Sequence, residues 1–146
     1  MTRQLLPIQI DRCWLAIDAG NAKEVLGPCP WVAVPGAGAY LPGVAPWRGR
    51  AVAVVDLAAV AGVGSPLQAG VARPRTVILQ VGSCTFAVLV ESVREVLAVD
   101  QASLRTPHAV RHGHASEEFD LDGVAVPLLD LTSILKAAAP SVPEAL

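Results

Sequence analysis

The chain has 146 residues, enough for one ordinary domain, with Lys plus Arg 11 against Asp plus Glu 13 and a formal net charge of -2. That balance leaves no basic stripe to neutralise phosphates, so nucleic acid is excluded as a natural partner. Hydrophobic residues make up 53% and aromatics only 4%, which points to a core of Val, Ala and Leu in many short β-branched segments.

In chain order, "IQIDRCWLAID" from Ile8 reads as strand, short turn, strand, and "KEVL" ends the next strand. Val25 to Trp47 follows without a charge, over a length that could cross a bilayer. Pro28, Pro30, Pro35, Pro42 and Pro46, together with Gly27, Gly36, Gly38 and Gly43, break any continuous helix there, so the segment is expected to be an irregular loop. Gly49 then opens an apolar strand that closes on Asp56-Leu57, where Asp56 is placed to cap a short helix over "LAAVA". The Gly/Pro-rich stretch Gly62 to Arg75 reads as a linker.

The same order then returns. "LQVGSCTFAVLVESVREVL" from Leu79 aligns with "IQIDRCWLAIDAGNAKEVL" from Ile8, and Gly123 to Leu131 aligns with Gly49 to Leu57. Phe86, Leu89, Val90, Val93 and Leu97 have a spacing that would also suit an amphipathic helix. Gly20 and Asn21 at the matching place in the first copy decide for strands. Asp130 is expected to cap a second helix over "LTSILKAAA". The expected organisation is one domain: a first lobe over about 5–61, linker 62–75, a second lobe over about 76–136 and a tail 137–146. Halves this small would be marginal alone, so they are expected to interlock as paired small barrels.

Catalytic chemistry finds few candidates. Cys13, Cys29 and Cys84 are odd in number, lack a C-x-x-C spacing, and read as buried free thiols. His112-x-His114-x-x-x-Glu118, near His108, resembles part of a cupin metal motif, which would suit a small metal-binding β-barrel enzyme. These are the only histidines, and a polar loop is the favoured reading. "GAG" at Gly36–Gly38 lacks the Lys-Ser/Thr of a phosphate loop. No catalytic, cofactor or metal residue is assigned. The N-terminal "MTRQLLPIQIDR" lacks a secretory signal's apolar core, so a cytoplasmic location is expected.

The strings "WLAIDAGNAKEVL", "LPGVAPWRGRAVAVVDL", "FAVLVESVREVLAV" and "LRTP", in this order from about Leu5 to Lys136, resemble the CheW-like family of chemotaxis adaptors. The resemblance implies an all-β fold of two interlocked five-stranded barrels in pseudo-repeat, with short helices after the Asp-Leu strand ends. It also implies a non-catalytic adaptor, recruited to membrane-associated arrays, that couples chemoreceptor cytoplasmic tips to the regulatory domain of a CheA-type histidine kinase. Glu24 and Arg48 are the implied polar receptor contacts, and Ala22 and Val25 would line the neighbouring apolar groove. Kinase-contact residues are unassigned, and a diverged module binding one partner is the alternative. Pro46-Trp47 stands where the family has Asn-Leu, and Ala53 and Ala87 replace a usual Pro and Gly.

Overall fold

The computed structural model describes residues 1–107 and 114–138. β1 (Thr2–Ile10) and β2 (Cys13–Asp18) form a hairpin, followed after one 3-10 turn by β3 (Ala22–Leu26). The uncharged loop contains only the short β4 (Val32–Ala33) before β5 (Gly43–Trp47) and β6 (Arg50–Val54) lead into helix α1 (Leu57–Ala61). The second copy repeats the order. β7 (Arg75–Val81) and β8 (Cys84–Val90) make the hairpin, and β9 (Ser92–Val93) with β10 (Leu97–Asp100) takes the place of β3. β11 (Ala115–Leu121), β12 (Val124–Leu129) and helix α2 (Leu131–Ala138) complete it.

The repeats exchange strands. One sheet has the order β10-β1-β2-β12-β11 with β9 also on β1, so it joins the first hairpin to the second copy's strands. The other runs β3-β7-β8-β6-β5-β4 and joins the second hairpin to the first copy's strands. Their seams match residue for residue: the parallel pair Val54↔Ala87 in one is Leu128↔Ala16 in the other, at aligned positions of the repeat. The all-β, pseudo-repeat arrangement with a short helix after each Asp-Leu is therefore what the chain adopts. Both acids cap as expected, Asp56 accepting from Ala59 N at 3.2 Å and Asp130 from Ser133 N at 3.1 Å.

Alternation along the hairpins decides what each face buries. Ile8, Ile10, Leu15 and Ile17 from one hairpin meet Val77, Leu79, Phe86 and Val88 from the other, with α1 and α2, in the central core. The opposite faces carry separate cores, Leu5, Ala16, Phe119 and Leu128 in one sheet and Val52, Ile78 and Ala87 with Trp31, Ala45 and Val54 in the other.

Several expectations need correction. The second Glu-Val-Leu is not a continuous strand: Val93↔Ile8 and Leu97↔Leu5 pair, whereas Arg94 to Val96 belong to neither β9 nor β10, although Arg94 N still donates to Pro7 O at 3.0 Å. The first copy keeps the same registers, Ala22↔Leu79 and Leu26↔Thr76, with Glu24 on Ile78. Ile78 corresponds to Pro7, which has no N–H to give, and this is where the second ladder opens. The thiols also differ: Cys29 is buried, Cys13 half-buried and Cys84 exposed, because Cys84 follows the Gly82-Ser83 turn at the mouth of a groove. Between α1 and β7, Asp11 accepts from Ser65 N, the buried Asp56 from Leu67 N at 2.9 Å, and Val71 O from Trp31 Nε1 at 2.9 Å. No described helix is long and apolar enough to cross a membrane.

Candidate functional site

Arg48 and Gly49 are the two central residues of the β5–β6 hairpin turn, with Trp47↔Arg50 the last pair. Both have positive φ, 49° and 77°, the type I′ geometry that matches the twist of the flanking strands. Such turns select Asn, Asp or Gly at the first position, because other side chains crowd the backbone there. The aligned turn of the second copy obeys the rule with Asp122 at 52° and Gly123 at 81°. Arginine at position 48 is therefore a conformationally costly choice.

The Arg48 side chain is 72% exposed and held from one side only. Its Nη2 donates to Glu24 Oε1 at 3.1 Å, and the same oxygen accepts from Trp47 Nε1 at 3.1 Å. The guanidinium groups of Arg48 and Arg50 lie 5.2 and 5.6 Å from the Trp47 ring centroid, within cation-π range. Glu24 is on β3 and Trp47 on β5, four places apart in the sheet order. A flat sheet would separate them by about 19 Å, so their contact means that the sheet rolls round on itself here. Trp47 and Leu26 close that roll from inside, packing on Val52, Ile78 and Ala87.

The structure thus brings Glu24 and Arg48 together. Val25 is beside them on the edge strand β3 and 43% exposed, whereas Ala22 packs against the central core. An apolar groove of about 520 Å³ runs elsewhere, between α2, β6 and the β7–β8 turn, and neither Ala22 nor Val25 lines it. Trp47 and Arg50 were not singled out as site residues from the sequence. The signal was present in Pro46-Trp47, which departs from the family pattern next to the turn.

The second copy carries an inverted counterpart. Arg94, aligned with Lys23, donates from Nη1 to Asp122 at 3.1 Å and stacks 5.7 Å from the Trp14 ring, while Val96, aligned with Val25, is 50% exposed. Acid on β3 with base on the turn becomes base between β9 and β10 with acid on the turn.

The histidine motif comes apart. His108 and His112 lie outside the described residues, and His114 Nδ1 is 2.6 Å from Ser133 Oγ. Glu118 is no loop residue; it sits in β11, buried to 6% exposure, where Arg105 Nη2 reaches it at 2.7 Å. Asp120 and Glu118 together hold the Arg105 guanidinium protonated well above its ordinary range. Among the described residues no three His, Cys, Asp or Glu side chains converge to hold a metal ion.

A direct consequence concerns the strained turn. Arg48→Asn relieves the left-handed crowding and gives up an exposed ion pair worth little. Its stability in urea unfolding is expected within about 0.5 kcal/mol of wild type, while Arg48→Val, β-branched at positive φ, loses about 1–2 kcal/mol.

The fold is similar to that of the crystal structure of scaffolding protein TtCheW from Thermoanaerobacter tengcongensis, with a TM-score of 0.76 at 17% sequence identity, covering 89% of this chain and 90% of that one. No curated protein gives a significant match. The family model of the CheW-like domain matches residues 4–139, nearly the whole alternation of hairpin, edge strand, type I′ turn and capped helix described above, and the chain belongs to the CheW-like domain family.

Proposed function

We propose that the protein is a non-catalytic adaptor of chemotaxis signalling, which couples the cytoplasmic tips of chemoreceptors to the regulatory domain of a CheA-type histidine kinase. The observation that carries the receptor half is Arg48: a largely exposed arginine at a turn position that prefers Asn, Asp or Gly, with its guanidinium over the Trp47 ring and one edge held by Glu24. Backbone strain of this kind concentrates where a side chain is kept for contact rather than for stability. The guanidinium's remaining donors face outward, suited to a carboxylate or to backbone carbonyls at a helix end. Val25, exposed beside Glu24, supplies an apolar neighbour for the same contact. Ala22 supports the strand from the core side.

Binding sites of this size concentrate their energy in few residues, so Arg48→Ala and Glu24→Ala are each expected to weaken receptor-tip binding by about 1–3 kcal/mol. Binding of the kinase regulatory domain is expected to persist in both variants. Fluorescence anisotropy with a labelled receptor-tip fragment, and separately with the kinase domain, measures this. Unchanged receptor affinity in folded variants would remove Glu24 and Arg48 from the contact. A wild type that binds the receptor tip and never the kinase domain would replace the adaptor with a single-partner module.

A further inference from the structure

The two type I′ turns share a backbone and differ in chemistry. The first reads Trp47-Arg48-Gly49-Arg50 and the second Leu121-Asp122-Gly123-Val124, each with positive φ at its two central residues. Val124 shows that an apolar β-branched residue serves at the start of the second strand, so the frame does not call for the charge of Arg50. Leu121 likewise shows that it does not call for the indole of Trp47. Both departures fall on one pair, because Trp47 and Arg50 are direct partners across the turn and their side chains share a face of the hairpin.

Trp47 is a seat for two cations. Its side chain packs on Val52, Ile78 and Ala87, while the guanidinium carbons of Arg48 and Arg50 lie 5.2 and 5.6 Å from the ring centroid. They are therefore no further apart than two turns of an α-helix, about 11 Å. Glu24 answers only the first of them, through one oxygen shared between Arg48 Nη2 and Trp47 Nε1. Among the described residues no carboxylate pairs with Arg50, whose side chain is exposed. One acid against two cations makes this a positive spot on a chain whose formal net charge is -2.

We propose that Arg50 is a specificity-determining residue of the receptor site, a second cation held on Trp47 that selects partner segments presenting two carboxylates. The inference rests on the receptor reading and adds to it the chemistry of the partner. On a helix the match is a pair of Asp or Glu residues on one face, one or two turns apart, at about 6 or 10 Å along the axis. One carboxylate meets the outward donors of Arg48, and the other forms a planar two-bond contact with Arg50. The indole lowers the entropic cost of that contact, because cation-π attraction holds the guanidinium in place before the partner arrives. A segment with a single acid would leave Arg50 desolvated and unpaired, which discriminates against it.

Anisotropy of a labelled receptor-tip fragment, titrated with the full-length protein at two salt concentrations, tests this. In low salt Arg50→Gln is expected to weaken binding about fivefold, and in about 0.5 M salt less than about twofold, because exposed charge pairs are screened there. Arg12→Gln, on the exposed β1–β2 turn, removes the same charge and should leave the affinity unchanged. Trp47→Leu supplies the residue of the aligned turn, and in that background Arg50→Gln should change the affinity by less than about twofold. Urea midpoints show whether each variant is folded. Wild-type binding that Arg50→Gln leaves unchanged would overturn the proposal, while the receptor reading would still stand on Arg48→Ala. Weakening of equal size at both salt concentrations would also overturn it, as would an undiminished effect of Arg50→Gln beside a folded Trp47→Leu. A wild type that never binds the fragment would end the receptor reading and this inference with it.

Discussion

Residues 1–70 expressed alone are expected to give a chain with no cooperative unfolding transition, although they contain a complete copy of the repeat. In the full protein the β1–β2 hairpin is flanked by β10 and β12, and β3 and β6 are flanked by β7 and β8, all from the other copy. Removing residues 71–146 therefore exposes both edges of the first hairpin and strips β3 of its only partner strand. The central core loses Val77, Leu79, Phe86, Val88, Leu129 and Ile134 together. Burying a large aliphatic or aromatic side chain contributes about 1.5–3 kcal/mol, so the loss exceeds the whole margin of an ordinary domain. Circular dichroism under urea should show a sloping baseline for the fragment and one sigmoidal transition for the full chain. A cooperative transition in the isolated half would contradict the exchange of strands.

The second large effect is expected at Asp56. Its carboxylate is 3% exposed and serves two backbone donors, Ala59 N in the first turn of α1 and Leu67 N in the segment that returns to the second copy. Asp56→Ala removes a cap worth about 1 kcal/mol and leaves a second part-buried N–H unpaired at about 1–3 kcal/mol, for a loss of about 2–4 kcal/mol. The repeat provides the control. Asp130 occupies the aligned position, is exposed, and has the capping bond to Ser133 N but no counterpart of the Leu67 bond among the hydrogen bonds described for it. Asp130→Ala is expected to cost about 1 kcal/mol. Denaturant unfolding of the pair separates capping from tethering; equal losses would mean that the Leu67 bond contributes nothing.

These two residues also show how much could be read in advance. The repeat, the hairpins and both capped helices follow from spacing that survives in one dimension, because strand alternation and an Asp before an apolar helix are local properties. The bond from Asp56 to Leu67 depends on where the chain returns, which no spacing encodes. Pro7 was visible as a residue without an N–H, but only the register of β1 against β9 and β10 shows that it faces the second Glu-Val-Leu. Cys84 reads as apolar from its neighbours, yet the turn at Gly82-Ser83 puts it at a groove mouth. Glu118 reads as part of a polar histidine tract because its partner, Arg105, lies on the far side of that tract in the sequence. At the candidate site Glu24 and Arg48 were accessible through resemblance, whereas Trp47 joins them only because the sheet rolls and brings β3 to β5.

The inverted pairing at the two turns, Arg48 with Glu24 and Asp122 with Arg94, puts an exposed cation on one turn and an exposed anion on the other. Partners of different charge pattern could then be kept apart by repulsion as well as chosen by attraction.

An adaptor must hold both partners in one assembly, and that is what should be measured. A labelled receptor-tip fragment and the kinase regulatory domain are mixed with and without the protein, and analytical ultracentrifugation follows the label. The account predicts a complex containing all three components, formed only when the protein is present and lost with Arg48→Ala. Receptor and kinase domain that displace one another from the protein, so that no ternary species sediments, would contradict it.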